Sequence, residues 1–375
     1  MLNSYDYILA LLATFFSSLI LTALTIWLAF KLRIVDKPDL NNPKKLHSRS
    51  VALMGGLAIF LAFNLAVFFY LRYSSDLTGD TMTLRNILGM VVGTVFLLIG
   101  GILDDKYNLK PKWQIIFPVL AVLSVIICGI GINSVSNPLG GEALKLDSWQ
   151  FNLFWYAGFP YKVTILADLF TFVWLMAMIY TTKILDGLDG LVSGLTVICS
   201  IFIFLISLNN NDIIQYDVAL LSIVVLGAYA GFLVFNFNPA SIFLGESGST
   251  MAGFLLGSLS IISGSKVGIT LILMSIPILD FLWTIVRRIM EKKSPFSSAD
   301  RKHLHHRLLD AGFSVKQAVM FLYSVTLVFG VMAYNFQQKG MSILALTIIC
   351  LVVFCLILAF IYKRIAERQK ALTKQ

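Results

Sequence analysis

Apolar residues run in long blocks from one end of the 375-residue chain to the other, and polar residues are confined to the gaps between them. A helix needs about 20 such residues to cross a bilayer. Blocks of suitable length fall at 7–30, 51–71, 86–103, 115–134, 163–182, 191–208, 216–235, 248–263, 267–287, 317–335 and 341–362. The block at 248–263 is short and glycine-rich, which suits a tilted helix or a hairpin with its neighbour. The pattern predicts an all-α, polytopic integral membrane protein of about eleven transmembrane helices. Residues 1–375 are read as a single membrane-embedded domain, with an inside loop at 288–316 and a basic tail at 363–375.

Composition sharpens this picture. Hydrophobic residues make up 58% of the chain and charged residues 13%, against about 25% charged in soluble proteins. The net charge of +9 sits between apolar blocks and not on one basic face, which points to a lipid bilayer and away from nucleic acid. With the N-terminus outside, 23 of the 29 Lys and Arg residues fall on the inside and 6 outside. That bias predicts a cytoplasmic C-terminus. The block from Tyr7 to Phe30 is too long for a signal-peptide core and reads as a retained first helix. Cys128, Cys199, Cys350 and Cys355 lie inside apolar blocks and read as buried, inert thiols.

Candidate chemistry gathers at the inside ends of the blocks. Asp104-Asp105 follow the third block directly, where adjacent carboxylates must be hydrated or neutralised by a cation such as magnesium. Lys183-Ile184-Leu185-Asp186-Gly187-Leu188-Asp189-Gly190 follows the fifth, and its glycines let backbone approach a ligand or simply make a turn. Asn236-Phe237-Asn238-Pro239-Ala240 follows the seventh and leads through Phe243 to Glu246 at a helix start. The 288–316 loop carries Asp300-Arg301-Lys302-His303-Leu304-His305-His306-Arg307, where zinc is conceivable but phosphate oxygens suit the flanking cations better. Lys45 and His47 lie in the first inside loop. Acidic groups for a metal beside basic groups for phosphates are what phosphoryl transfer needs. Asp280 is an intramembrane carboxylate, read either as functional or as a partner of Arg287 or Arg288, and Asp168 as structural. A transporter or flippase is the rival class, weakened by the absence of an internal repeat and by the gathering of ionisable groups at one interface.

These motifs, in this order, resemble the polyprenyl-phosphate N-acetylhexosamine-1-phosphate transferases. The likeness extends from Val35-Asp36-Lys37-Pro38 through Leu103-Asp104-Asp105, Asp186-Gly187-Leu188-Asp189-Gly190 and Asn236-Phe237-Asn238-Pro239-Ala240 to the histidine motif. The histidine motif resembles the branch that uses GlcNAc-1-phosphate to begin O-antigen, teichoic acid and related cell-wall glycans. It is less like the branch that moves muramoyl-pentapeptide phosphate. The resemblance implies transfer of a sugar-1-phosphate from a UDP-sugar to undecaprenyl or another polyprenyl phosphate, with release of UMP, at the cytoplasmic face of the cell membrane.

By the same resemblance Asp104 orients or deprotonates the lipid phosphate. Asp105 and Glu246 hold Mg2+, with Mn2+ as a substitute, and Asp186 belongs to the catalytic set. Gly187, Leu188, Asp189, Asn236 and Phe243 line the uridine pocket. His303, His305 and His306, with Arg301 and Arg307, take the diphosphate or sugar, and Lys45 and His47 lie near the phosphates. The reading leaves room for a homodimer. The chain departs from the family pattern at Lys183 and Tyr180, where Asn is usual, and at Glu246, where Asp is usual. Lys183 has three places to go: away from the metal, onto Glu246 or Asp186, or onto a substrate phosphate, which is the expected one.

Overall fold

The computed structural model describes residues 4–38, 49–74, 76–79, 81–135, 144–146, 149–156, 159–209, 214–263, 267–292, 303–338 and 343–372. In chain order the elements are α1 (Ser4–Leu32), β1 (Val35–Asp36), β2 (Val51–Ala52), α2 (Gly55–Tyr73), α3 (Leu84–Tyr107), α4 (Pro111–Gln114) and α5 (Ile116–Ile127). Then follow β3 (Ser134–Val135), β4 (Leu144–Lys145), β5 (Gln150–Tyr156), β6 (Phe159–Thr164), α6 (Ile165–Leu185), α7 (Leu191–Leu208) and α8 (Tyr216–Asn236). The chain continues with α9 (Gly245–Ile262), α10 (Val267–Leu273), α11 (Ser275–Met290), α12 (Leu304–Asp310), α13 (Val315–Gln338) and α14 (Ile343–Leu372).

Every apolar block is therefore helical over much of its length, and the multi-pass helical architecture stands. Among the described residues eight helices are long and apolar enough to cross a membrane, or nine if α10 and α11 form one bent span. Two of the differences from the sequence reading have clear physical causes. The block at 115–134 is helical only to Ile127, because Gly129 turns left-handed (φ 84°) and the amide of Ile130 closes back on the Val125 carbonyl at 3.1 Å. The block at 267–287 is broken by 79° between α10 and α11. Pro277 lacks an N–H, and its ring cannot pack against the carbonyl four residues back, on Leu273, where α10 ends. Among the described residues three antiparallel strand pairs (β1–β2, β3–β4 and β5–β6) also interrupt the run of helices.

Two kinds of helix surface make up the bundle. α1 and α14 turn large apolar side chains such as Phe16, Trp27, Leu356 and Phe360 outward, as lipid-facing helices do. Cys355 shares that outward face of α14 and is exposed, unlike the buried Cys199 and Cys350. α9 is the opposite case: fifteen of its eighteen residues are buried, and it packs on α2, α3 and α6. Small residues make this possible. Ser247 lies against Gly101 of α3, and Gly253 lies against the Met178 carbonyl of α6. Tyr229 of α8 donates its hydroxyl to the Gly248 carbonyl at 2.9 Å. This packing brings the first turn of α9 level with the last turns of α3 and α6.

Candidate functional site

The C-terminal ends of α3, α6 and α8 and the N-terminal end of α9 meet at one end of the bundle, and their polar side chains interlock. α3 stops where Asn108 adopts a left-handed conformation (φ 47°) and returns its amide to the Asp104 carbonyl. The Asp104 carboxylate turns back over that end, its Oδ1 accepting from the Leu109 amide and from Gln114 Nε2, both at 2.9 Å. Gln114 Oε1 accepts from Lys183 Nζ at 3.0 Å. Lys183 Nζ lies 2.5 Å from Glu246 Oε1, and the Glu246 amide reaches Asp105 Oδ1 at 3.4 Å. Gly245 has φ 73°, and a β-carbon there would stand 2.8 Å from Asp105 Oδ2, so the chain passes beside that carboxylate only as glycine.

Lys183, expected on a substrate phosphate, is therefore paired with Glu246. Burial raises the pKa of Glu246, opposed by the Lys183 ammonium. Asp186 closes α6, and burial, then the carboxylates of Glu246, Asp105 and Asp189, push its pKa well above the usual range.

The two central loops are bound to each other. Asp189 Oδ2 accepts from Asn238 Nδ2 at 2.9 Å and from the Ala240 amide at 3.1 Å. Asn236 is buried; its Oδ1 accepts from the Gly190 amide at 3.2 Å and Ser193 Oγ at 2.6 Å, and its Nδ2 donates to the Ile242 carbonyl at 2.9 Å. Both side chains thus shape the loop walls, on which Leu188 is buried and Phe243 half-buried. The Phe243 amide donates to the Ala52 carbonyl at 2.9 Å, anchoring this loop to β2. Tyr323 of α13 donates its hydroxyl to the Gly190 carbonyl.

The histidine segment closes the same end. His303 precedes α12, and its Nδ1 lies 3.2 Å from Asp280 Oδ2 of α11, while Asp280 Oδ1 takes the Leu304 amide at 3.0 Å. His303 stacks on His305, with ring centroids 5.8 Å apart and planes 4° apart, and His305 leans on His306 at 4.3 Å. His305 is buried against Gly187, so closely that any side chain at Gly187 would collide with Nε2. Burial, then the neighbouring rings of His306 and His303, hold its pKa well below the usual histidine value. The Arg307 guanidinium donates to the Tyr362 hydroxyl and lies over that ring, tying α12 to α14.

Asp104, Asp105, Asp186, Asp189 and Glu246 are thus brought to one bundle end with Lys183 and His305, and His303 and His306 follow through their ring contacts with His305. Lys45, His47 and Arg301 lie outside the described residues. Sequence reasoning missed Gln114, which bridges Asp104 and Lys183, and the pairing of Asp280 with His303; neither has a spacing signal. Asp168 takes the Thr164 amide at 2.9 Å at the start of α6, the structural role expected of it.

The donor chemistry suits a hard cation. Asp105 Oδ2 is enclosed without a hydrogen-bond partner, on a carboxylate whose Oδ1 takes the Glu246 amide. Among the described residues no three His, Cys, Asp or Glu side chains form a ready cage. Magnesium commonly takes only one or two carboxylates and completes its shell with water and phosphate oxygens.

Residues 87–264 match the family described as Glycosyl transferase family 4. The chain is 29% identical over 373 residues to the "Probable undecaprenyl-phosphate N-acetylglucosaminyl 1-phosphate transferase" of Bacillus subtilis, covering 98% of this chain and 95% of that protein. It is 28% identical over 303 residues to the decaprenyl-phosphate N-acetylglucosaminephosphotransferase of Mycobacterium tuberculosis, covering 75% of this chain and 70% of that one. To the undecaprenyl-phosphate alpha-N-acetylglucosaminyl 1-phosphate transferase of Thermotoga maritima it is 27% identical over 336 residues, covering 89% and 92%.

Proposed function

We infer, from the premise that this chain belongs to glycosyl transferase family 4, that it transfers N-acetylglucosamine-1-phosphate to a polyprenyl phosphate. The donor is a UDP-sugar, and the products are UMP and a lipid-diphosphate-sugar that starts a cell-envelope glycan. One observation carries the site reading. His305 packed on Gly187 joins the histidine segment to the acidic cluster, so phosphate-binding and cation-holding groups share one bundle end.

Transfer of this kind is mostly positioning and neutralisation of charge. Asp104, held at the end of α3, orients the lipid phosphate and accepts its proton, so that a phosphate oxygen can attack the β-phosphorus of the UDP-sugar. Asp105 and Glu246 would hold magnesium, or manganese in its place, and Asp186 stands behind them. Bound there, the ion would neutralise the diphosphate oxygens and the charge that develops on departing UMP. Gly187, Leu188 and Phe243 form the uridine wall, kept in shape by Asp189 and Asn236. His303 and His306 meet the diphosphate or sugar, and the buried, neutral His305 spaces them. The bias of basic residues supports a scheme of eleven crossings, counting α9 and the α4–α5 segment, with the N-terminus outside and this end in the cytoplasm.

The test is transfer of radiolabel from UDP-GlcNAc to undecaprenyl phosphate by the purified chain, with UMP measured in parallel. A lipid-linked product formed together with UMP is expected. No lipid product from any UDP-sugar in a panel overturns the reading.

A further inference from the structure

Lys183 brings an ammonium group into an acidic site. Its Nζ is held by Glu246 Oε1 at 2.5 Å and by Gln114 Oε1 at 3.0 Å, and Gln114 is itself fastened to Asp104. The two charged side chains are 20% and 17% exposed, so water screens them only in part. On the other side of Glu246, its own amide meets Asp105 Oδ1, and Asp105 Oδ2 is enclosed without a partner. The ammonium therefore stands on one of the two carboxylates that the proposed function gives to the divalent ion.

Such an arrangement has two effects. It supplies a positive charge to a cluster whose partly buried carboxylates would otherwise repel one another, so part of the negative charge at this bundle end is offset without any metal. It also opposes the metal, because a divalent ion arriving at Glu246 meets a positive charge within contact distance, and the repulsion is twice that between unit charges. Glu246 reaches the lysine because its side chain is one methylene longer than aspartate and projects from the first turn of α9 toward the last turn of α6.

We propose that Lys183 is a resident counter-ion that a divalent cation must displace from Glu246, and that it thereby sets how tightly the site takes that cation. The inference rests on Asp105 and Glu246 being the metal-holding pair. Binding of Mn2+ to the purified, chelator-washed full chain, followed by electron paramagnetic resonance without any substrate, tests it. Lys183→Gln and Lys183→Met should each bind Mn2+ at least tenfold more tightly than the unmodified protein. Lys183→Arg, which keeps a cation, should stay within about threefold of it, a margin of under 1 kcal/mol. Glu246→Gln should bind least. Thermal unfolding in chelator supplies an independent readout: Lys183→Met should lose stability there and regain more of it on adding Mn2+ than the unmodified protein does. Equal Mn2+ affinity in all Lys183 variants overturns the inference and leaves the metal pair standing. No Mn2+ bound by either the unmodified protein or the Lys183 variants removes the metal pair, and the inference with it.

Discussion

Asp280 holds His303 by the ring: Oδ2 lies 3.2 Å from Nδ1, while Oδ1 takes the amide of the next residue, Leu304, at 3.0 Å. A carboxylate can only accept, so Nδ1 carries the hydrogen and Nε2 is left for a ligand. One buried side chain on α11 thus sets both the rotation of the histidine and the start of α12.

Replacing Asp280 by Ala should lower transfer by about ten- to a hundredfold, the scale seen when the carboxylate behind a working histidine is removed. The loss should appear in kcat more than in KM for the UDP-sugar. Adding Asp280→Ala to His303→Ala should cost little further, because both changes remove one unit. Steady-state kinetics of the two single variants and the double variant decide it, and additive losses would separate the two residues.

The paired aspartates should behave differently from each other. Asp105→Asn is expected to cut turnover by at least about a hundredfold with no loss of melting temperature, since Asp105 Oδ2 has no partner to lose. Asp104 also fastens the end of α3 through Leu109 and Gln114. Asp104→Ala should therefore lower stability as well as activity, whereas Asp104→Asn, which keeps an accepting oxygen, should lower activity alone. Activity and melting measured on the same preparations check this, and near-normal turnover in Asp105→Asn would remove that residue from the chemistry.

The contact between Gly187 and His305 makes a size prediction. Gly187→Ala should destabilise the protein by about 1–3 kcal/mol through overpacking, and His305→Ala in the same chain should return much of that loss. His305 also carries a pH dependence. Its folded pKa is depressed, so below about pH 6.5 the unfolded chain binds a proton that the folded chain refuses. Stability should fall as pH drops from that point toward the folded value, and less steeply in His305→Gln. Melting curves at pH 7.5 and 5.5 for both proteins measure the difference, and identical slopes would contradict it.

Orientation can be tested in intact cells. Single cysteines introduced at Asn210 and Ser297 of an otherwise cysteine-free chain should react and fail to react, respectively, with a membrane-impermeant reagent. Reaction at Ser297 would invert the scheme.

Much of this site was legible in the sequence wherever its residues are neighbours along the chain. Asp104-Asp105, the Asp186–Gly190 turn and the histidine segment announce themselves by composition at the ends of apolar blocks. The partners that orient them are distant. His303 meets a residue 23 positions away, and Gln114 is 69 positions from Lys183. No periodicity encodes such pairings, and charge alone suggested Arg287 or Arg288 for Asp280. The pairing of Lys183 with Glu246 likewise comes from packing, because α6 and α9 touch through glycine and serine and leave the two side chains together. Helix ends were misjudged where one residue decides the path, at Gly129 and at Pro277, inside blocks whose hydrophobicity runs on past the turn.

Half of the residues of α9 are glycine, serine or threonine, its first turn carries Glu246, and its neighbours enclose it. Such a segment gains little from entering lipid alone, yet it stands where the chemistry is assembled. Its place must exist before it arrives. Synthesis from the N-terminus supplies this, since α2, α3, α6 and α8 are all made first, and α9 becomes the wedge that completes a prepared slot. A nascent chain halted at residue 244 would then hold an open seam through the middle of the bundle, where quality-control proteases could find unpaired small-residue faces.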